Sequence, residues 1–434
     1  MSSTLFTHCT IFPGAHSNII ENAFLLTTGS NIAAIGPMVD APSPGQARVV
    51  DASGKLVMPG LINGHNHSAM TLFRGMADDL ELTAWLHEHI FPAEARLISP
   101  EMVYWCTKLA AAEMLLSGTT CVADAYFFSG MSARALSDCG MRAVIGHGIV
   151  DFPVPSVPDP AKNVETVAAF VSEWLDRDPL ITPAVFAHAP YTCSPATLRK
   201  AQRLAAETGV RFFLHIAETR NEMEMIIEPH DTSPIRHLDA LGLLDRNTVC
   251  VHGVWLDDED LNLVTQSGAA VVTCPQSNLK LASGVARVKD MARRGIPVGL
   301  GTDGCASNNC LDMFREMDVL AKIQKIASQD ATAMPAQTAL HCATIGNAGL
   351  LNLSGIGKLE VGWQADLIIL DLNQPHLTPF YNPDLLVYAA SGADVETVMV
   401  NGWLVVEKRQ ILSFDLEEAK TRVNALACKA RTRH

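Results

Sequence analysis

The stretch KLVMPGLINGHNHSAM, residues 55–70, runs from an apolar segment straight into two histidines, His65 and His67. On an extended strand residues i and i+2 point to one face, so both imidazoles can reach one ion. Two partly buried or surface histidines would be spelled the same way. What recurs along the chain separates the two readings.

Seven further apolar runs follow LVMPGLIN (56–63). They are GTTCVAD (118–124), MRAVIGHGIV (141–150), LITPAVFAH (180–188), VRFFLHIAE (210–218), TVCVHGV (248–254), GAAVVTCPQ (268–276) and GIPVGLGTD (295–303). Apolar residues fall on both faces of most of them, as in buried parallel strands. The segments between carry helix punctuation. Ser99 and Pro100 open one helix that stops at Gly118, and Ser194 and Pro195 open another that stops at Gly209. SGVARVKDMARRG (283–295) predicts a third, ending at Gly295. Eight strand–helix units make an α/β protein with a (β/α)8 barrel.

The flanks read differently. Residues 1–57 and 363–434 alternate short strands with Gly/Asn turns, as in GWQADLIILDL and VETVMVNGWLVVEKRQIL. Chain ends often lie close together. The economical reading is one small β domain built from both termini, with the barrel, residues 58–362, inserted between them.

Composition limits what the chain can do. Of its 434 residues 48% are hydrophobic and 18% charged, which suits a filled globular interior. A net charge of −14 argues against nucleic acid or an anionic membrane as partner. The N-terminus has no basic and apolar leader pattern, and no apolar run is long enough to span a bilayer. Eleven scattered cysteines without a CxxC pair point to a reducing compartment, the cytoplasm.

In a barrel of this kind the active site is built at the C-terminal ends of the strands. The first run ends in His65 and His67, the fourth in His188, the fifth in His215 with Glu218 close behind, the sixth in His252 and the eighth in Asp303. Three imidazoles, from His65, His67 and His215, plus the carboxylate of Asp303 suit Zn2+ and leave a position for water. Glu218 is placed for general acid–base work. His252 is placed to orient the water, and His188 to touch substrate. Each also has an ordinary reading: a core histidine, a solvated loop glutamate, a turn aspartate. HExxH, the P-loop, GxSxG and PCxxC are all absent from the sequence.

The segments PGLINGHNHSAMTLFRGMADDLELTAWLHEHIFPAEA, HAPYTCSP, HIAET, VHGVWL, CPQSNLKLASG and GTDGCASNN together resemble the amidohydrolase superfamily. Within it they are most similar to the 5'-methylthioadenosine/S-adenosylhomocysteine deaminases. The likeness runs from about residue 50 to 315, followed by a tail of the β-sandwich-forming kind. It implies one divalent metal per subunit, most often zinc, on His65, His67, His215 and Asp303. A carboxylated-lysine bridge is not expected, because the fourth strand ends in His188. The resemblance also implies proton transfer by Glu218, with His252 and Asp303 holding the attacking water. It places Glu94 on the ribose hydroxyls, Trp85 against the nucleoside and His188 at the purine edge. A homo-oligomer, dimer or tetramer, goes with it.

The implied reaction is hydrolytic loss of the 6-amino group of an adenine nucleoside. One departure matters. Relatives that take S-adenosylhomocysteine are expected to grip its carboxylate with arginines after the third strand. HGIVDFPVPSVPDPAKNVE has none, leaving His147 and Lys162 as its candidate cations. The segment suits an uncharged 5' group, hence 5'-methylthioadenosine, with adenosine, 5'-deoxyadenosine and S-adenosylhomocysteine as lesser substrates. The alternatives are an aminohydrolase for guanine, a pterin or a triazine, and a non-catalytic scaffold on the same fold.

Overall fold

The computed structural model describes residues 3–80 and 84–431. Residues 1–2 and 432–434, the outer ends of the expected terminal domain, lie outside that range.

Eight parallel strands follow one another around a barrel: β1 (Leu61–Asn66), β2 (Thr119–Tyr126), β3 (Arg142–Ile149), β4 (Ile181–Ala187), β5 (Phe212–Ile216), β6 (Thr248–His252), β7 (Ala270–Thr273) and β8 (Val298–Leu300). Side chains alternate as the two-residue period requires. Val144, Phe213 and Val251 fill the interior with Ile62, Phe186 and Val272. Their neighbours Ala143, Leu214 and Cys250 face the surrounding helices.

Between β8 and β1 the barrel is closed largely by side chains. Asn347 donates from Nδ2 to the carbonyls of Ile62 (2.6 Å) and Leu300 (2.7 Å), and Asn63 Oδ1 accepts from Thr302 N–H (3.0 Å). One backbone bond, Asp303 N–H to His65 O at 3.0 Å, joins the two ends that carry the site.

The helix signals hold where Ser-Pro marks the start. Ser99 caps Pro100–Leu116 and Ser194 caps Pro195–Thr208, each side chain accepting a backbone N–H 3.2 Å away. The helix expected over 283–295 is shorter, Val288–Arg293, because Gly284 takes a φ of +129° and the chain ahead of Val288 stays irregular.

The first apolar run divides. Lys55–Pro59 pairs with Leu367–Asp371 in a second sheet, and β1 starts at Leu61. Pro59 lacks an N–H. A Cβ on Gly60 would meet Thr120 Oγ1 at 2.1 Å, so the chain crosses between sheets where only glycine fits. That second sheet has nine strands drawn from both ends of the chain, antiparallel except where Ser3–Ile11 runs parallel to Arg48–Asp51 and Lys55–Pro59. One apolar cluster, including Phe6, Leu25, Val57, Ile369 and Met399, draws on both halves, so the sheet folds over as a sandwich does. The last helix, Leu416–Arg431, leaves the sheet. Its Val423 and Leu426 pack with Met102 and Trp105 of the 100–116 helix. A buried ion pair ties barrel to sheet, with Arg142 Nε donating to Asp366 Oδ2 at 2.8 Å.

Candidate active site

A cavity of about 470 Å³ opens at the C-terminal ends of the barrel strands. His67, His188, His215, Glu218, His252 and Asp303 reach it, with His65 buried just behind.

Two backbone irregularities aim these side chains. In β1 Asn63 pairs with Val122 but Asn66 with Asp124, so β1 spends one residue more than β2 over that step. This bulge turns Asn63 and Asn66 outward and His65 and His67 inward. In β6 the partner of His252 is Ile216, which points out to the helices. His252 escapes that face through a φ of +74°, and Asp303 sits at +61°. Non-glycine residues rarely adopt this region, and such strain gathers where function demands a direction.

The donors cluster in two overlapping sets, His65 with His67 and Asp303, and His65 with His215 and His252, each set having ligand atoms within 4.8 Å of one another. His67 Nδ1 lies 2.6 Å from the carbonyl of Ala125, and His215 Nδ1 lies 2.9 Å from that of His188. A carbonyl only accepts, so both Nδ1 atoms carry a proton, which leaves Nε2 as the atom of each ring that can take a metal. Asp303 Oδ1 stands 3.6 Å from His65 Nε2 and 3.4 Å from His67 Nε2. Burial drives the His65 imidazole down to about 3, and burial with neighbouring imidazoles takes His215 well below its usual range. Neutral nitrogens beside one ionised carboxylate fit a divalent cation of the zinc type.

Asp303 is ionised against the pull of burial, because the adjoining His65 ring and the other surrounding imidazoles hold it well below the carboxylate range. Its Oδ2 accepts from Ser277 (2.7 Å) and Ser307 (2.9 Å), and its Oδ1 from Gly304 N–H (2.8 Å). Glu218 faces His252, with Oε2 3.7 Å from Nε2. Burial raises the Glu218 carboxyl, with Asp303 adding to it. His252 is raised despite burial by Glu218, Asp303 and its bond to Asn278, whose Oδ1 accepts from Nδ1 at 2.9 Å. Both groups hold a proton more tightly than they would in water, and their facing side chains suit proton exchange.

The wall is apolar with few polar groups. Glu94 is buried on the helix Phe91–Leu97 and accepts from Tyr126 Oη at 2.5 Å; burial pushes its carboxyl up to about 7. Trp85 lines the cavity, and its buried Nε1 has no hydrogen-bond partner among the described residues. His188 Nδ1 bonds Thr192 Oγ1 at 3.0 Å, and burial lowers the ring to about 4. Phe91, Phe127, Phe152, Val150 and Val154 complete the outer part.

His147 is elsewhere. It is buried off the cavity, its Nδ1 2.9 Å from Ser129 Oγ and its Nε2 3.4 Å from Ser156 Oγ. Burial lowers it to about 4, so it is a neutral ring and not the cation expected from the sequence. Lys162 belongs to a short turn, Pro160–Lys162, and does not line the cavity either.

Sequence reasoning did not assign Tyr126, Glu222, Ser277, Asn278, Ser307 or Glu316. Glu222 accepts the N–H groups of Ala217 (2.8 Å) and Glu218 (2.7 Å), and burial pushes it up to about 7. Glu316 joins the loops after β7 and β8, accepting from Gln276 Nε2 (2.7 Å) and Asn308 Nδ2 (2.6 Å). A Thr-x-x-Glu spacing in ETRNE, residues 218–222, was the available signal for Glu222. The others have no spacing signature.

The amidohydrolase family model matches residues 56–405. A 5-methylthioadenosine/S-adenosylhomocysteine deaminase of Syntrophobacter fumaroxidans is 47% identical over 399 residues, covering 91% of each chain. The 5-methylthioadenosine/S-adenosylhomocysteine deaminase 1 of Syntrophus aciditrophicus is 45% identical over 95% of this chain and 94% of its own. The crystal structure of an adenosine deaminase from Xanthomonas campestris with bound zinc has a TM-score of 0.95 to this fold at 36% identity, covering 99% of both chains.

Proposed function

The chain belongs to the amidohydrolase family, and from that premise we propose that it removes the 6-amino group of adenine nucleosides by hydrolysis, with 5'-methylthioadenosine preferred. The products are the inosine-type nucleoside and ammonia. The observation that carries this reading is the convergence of the histidine–aspartate donor set with the Glu218–His252 pair on one cavity floor, under a wall that carries Glu94.

His65, His67, His215 and Asp303 would hold the metal, which we take to be zinc, the ion bound in the Xanthomonas structure. Bound there, it supplies a nucleophilic water at neutral pH. Glu218 accepts the proton that the water loses as its oxygen bonds C6, and passes it to ring N1. Its raised affinity for protons, caused by burial, suits a carboxyl that must both take and give. His252, fixed by Asn278, presents Nε2 toward the same oxygen, with Asp303 beside it. A second proton follows through Glu218 to the amino nitrogen, the C6–N bond breaks and ammonia leaves.

Glu94 accepts from the ribose hydroxyls, Trp85 packs on the nucleoside, and His188 meets the purine edge. The apolar lining excludes bulk water. Among the described residues no disulfide joins the cysteines, which supports a reducing cytoplasmic setting, and we take the working form to be a homo-oligomer.

The test is the ultraviolet change from adenine to hypoxanthine with the zinc-loaded protein, run on 5'-methylthioadenosine, S-adenosylhomocysteine, adenosine and guanine. Fast turnover of the first supports the reading. Silence on every adenine nucleoside, with guanine consumed, overturns it.

A further inference from the structure

Glu222 lies one helical turn past Glu218, buried and off the main cavity. Both of its oxygens are spent on the backbone. Oε1 accepts from Ala217 N–H at 2.8 Å and Oε2 from Glu218 N–H at 2.7 Å. Ala217 holds a φ of +52°, a left-handed turn that a residue with a Cβ rarely adopts. On the other side of that turn, the Ala217 carbonyl accepts from Val254 (3.0 Å) and Trp255 (2.9 Å), in the loop after β6.

The helix Arg220–His230 starts with Thr219, whose Oγ1 accepts from Glu222 N–H at 3.2 Å. In a capping box the glutamate three residues on would fold back to the cap's own N–H. Here the carboxylate reaches further back and binds the two peptides before the cap. These set where the Glu218 side chain leaves the backbone. A cap that needed only helix stability has no use for that reach.

We propose that Glu222 is a positioning residue for the reaction: its carboxylate clamps the left-handed Ala217–Glu218 turn and so fixes the direction in which Glu218 enters the cavity. This rests on the reading of Glu218 as the proton carrier. Glu222 touches neither substrate nor the reacting atoms.

The test is a double-mutant cycle on the zinc-loaded protein with 5'-methylthioadenosine, using Glu218→Gln, Glu222→Gln and both, with metal content and Tm measured alongside. Glutamine at 222 can accept one N–H but sets its own NH2 against the other. Misdirection of a catalytic group by this route is expected to lower kcat about 10- to 100-fold at unchanged KM and metal content. The double variant should be no slower than Glu218→Gln alone. A kcat for Glu222→Gln equal to wild type overturns the proposal, as does a loss that multiplies with that of Glu218→Gln or follows metal content. Full activity of Glu218→Gln overturns the proton-carrier reading itself, and the clamp's role with it. Glu222→Asp keeps the charge but draws it back by a methylene. An intermediate kcat loss at unchanged KM supports the clamp, and wild-type kcat overturns it.

Discussion

His215 Nε2 and His65 Nε2 face each other 3.2 Å apart. The proton of His215 is committed to the His188 carbonyl through Nδ1, so its Nε2 points a lone pair at its neighbour. His65 also clusters with His67 and Asp303, so the two donor sets meet at its ring. A cation between them turns mutual repulsion into binding, and metal affinity then becomes folding free energy. Removing the metal with a chelator is expected to abolish deamination and lower Tm. Restored zinc at a hundredfold over its Kd returns about 2.7 kcal/mol of stability. Calorimetry on the chelated and reloaded protein checks this, and His215→Ala should remove the response to zinc.

Glu218→Gln keeps the volume of the side chain and removes its capacity to carry a proton. The metal donors lie on other residues, so metal content should stay at the wild-type level. Rate should fall by about 10²–10⁴. Single-turnover deamination with metal analysis on the same sample separates this from a binding defect.

Glu94 gives a pH signature with opposite signs for stability and recognition. Burial lifts its carboxyl from the usual 4.5 to about 7 in the folded, substrate-free protein. An acid whose folded pKa lies above its unfolded one binds protons more tightly when folded, so its contribution falls as pH rises from 4.5 through 7. Glu94→Gln removes that loss. The variant should therefore gain stability relative to wild type by up to about 3 kcal/mol at pH above 7, and nothing near pH 4.5. Recognition runs the other way. The ribose hydroxyls donate to a carboxylate, so the wild-type KM for nucleosides should rise as pH falls through 7. In the variant it should be high throughout. Denaturant melts of the empty protein and KM profiles on nucleoside and free base test both halves.

These predictions rest on groups of unequal legibility. The eight strands were visible because parallel strands buried on both faces are spelled as apolar runs, and their polar ends mark the site. The direction of the side chains was not. That His65 and His67 share a face follows from their spacing, but that the face is the inner one depends on the bulge in β1, which only the pairing with β2 reveals. His252 reaches the cavity through a left-handed backbone at a residue that alternation alone would turn outward. Lys55–Pro59 and β1 read as one strand because both are apolar, and only the crowding of Gly60 against Thr120 divides them. Ser277, Asn278 and Glu316 carry no local signal, since their meaning comes from a loop brought beside Asp303 by the closure of the barrel. His147 was named as a cation by elimination along the chain, and the fold turned it away from the cavity.

The outer cavity sets the 5' preference. Phe91 lies one turn before Glu94 on the same helix, so a group beside the ribose meets Phe91 and then Phe152, whose ring centroid is 6.1 Å away. Among the described residues no arginine or lysine lines this cavity. A methylthio group buries against these rings at a gain, whereas the amino-acid tail of S-adenosylhomocysteine brings a carboxylate with no partner. The kcat/KM for 5'-methylthioadenosine should exceed that for S-adenosylhomocysteine by about tenfold or more. Phe152 is at the exposed lip, so Phe152→Arg can place a guanidinium there without burying it. That variant should improve S-adenosylhomocysteine and weaken 5'-methylthioadenosine, shifting the ratio by about tenfold. His147→Gln should leave the ratio where it is, because that ring is neutral, held between Ser129 and Ser156 and out of reach of any 5' group. Equal rates of the wild type on both substrates would mean that the tail leaves the cavity for solvent, and that the aromatic wall selects nothing.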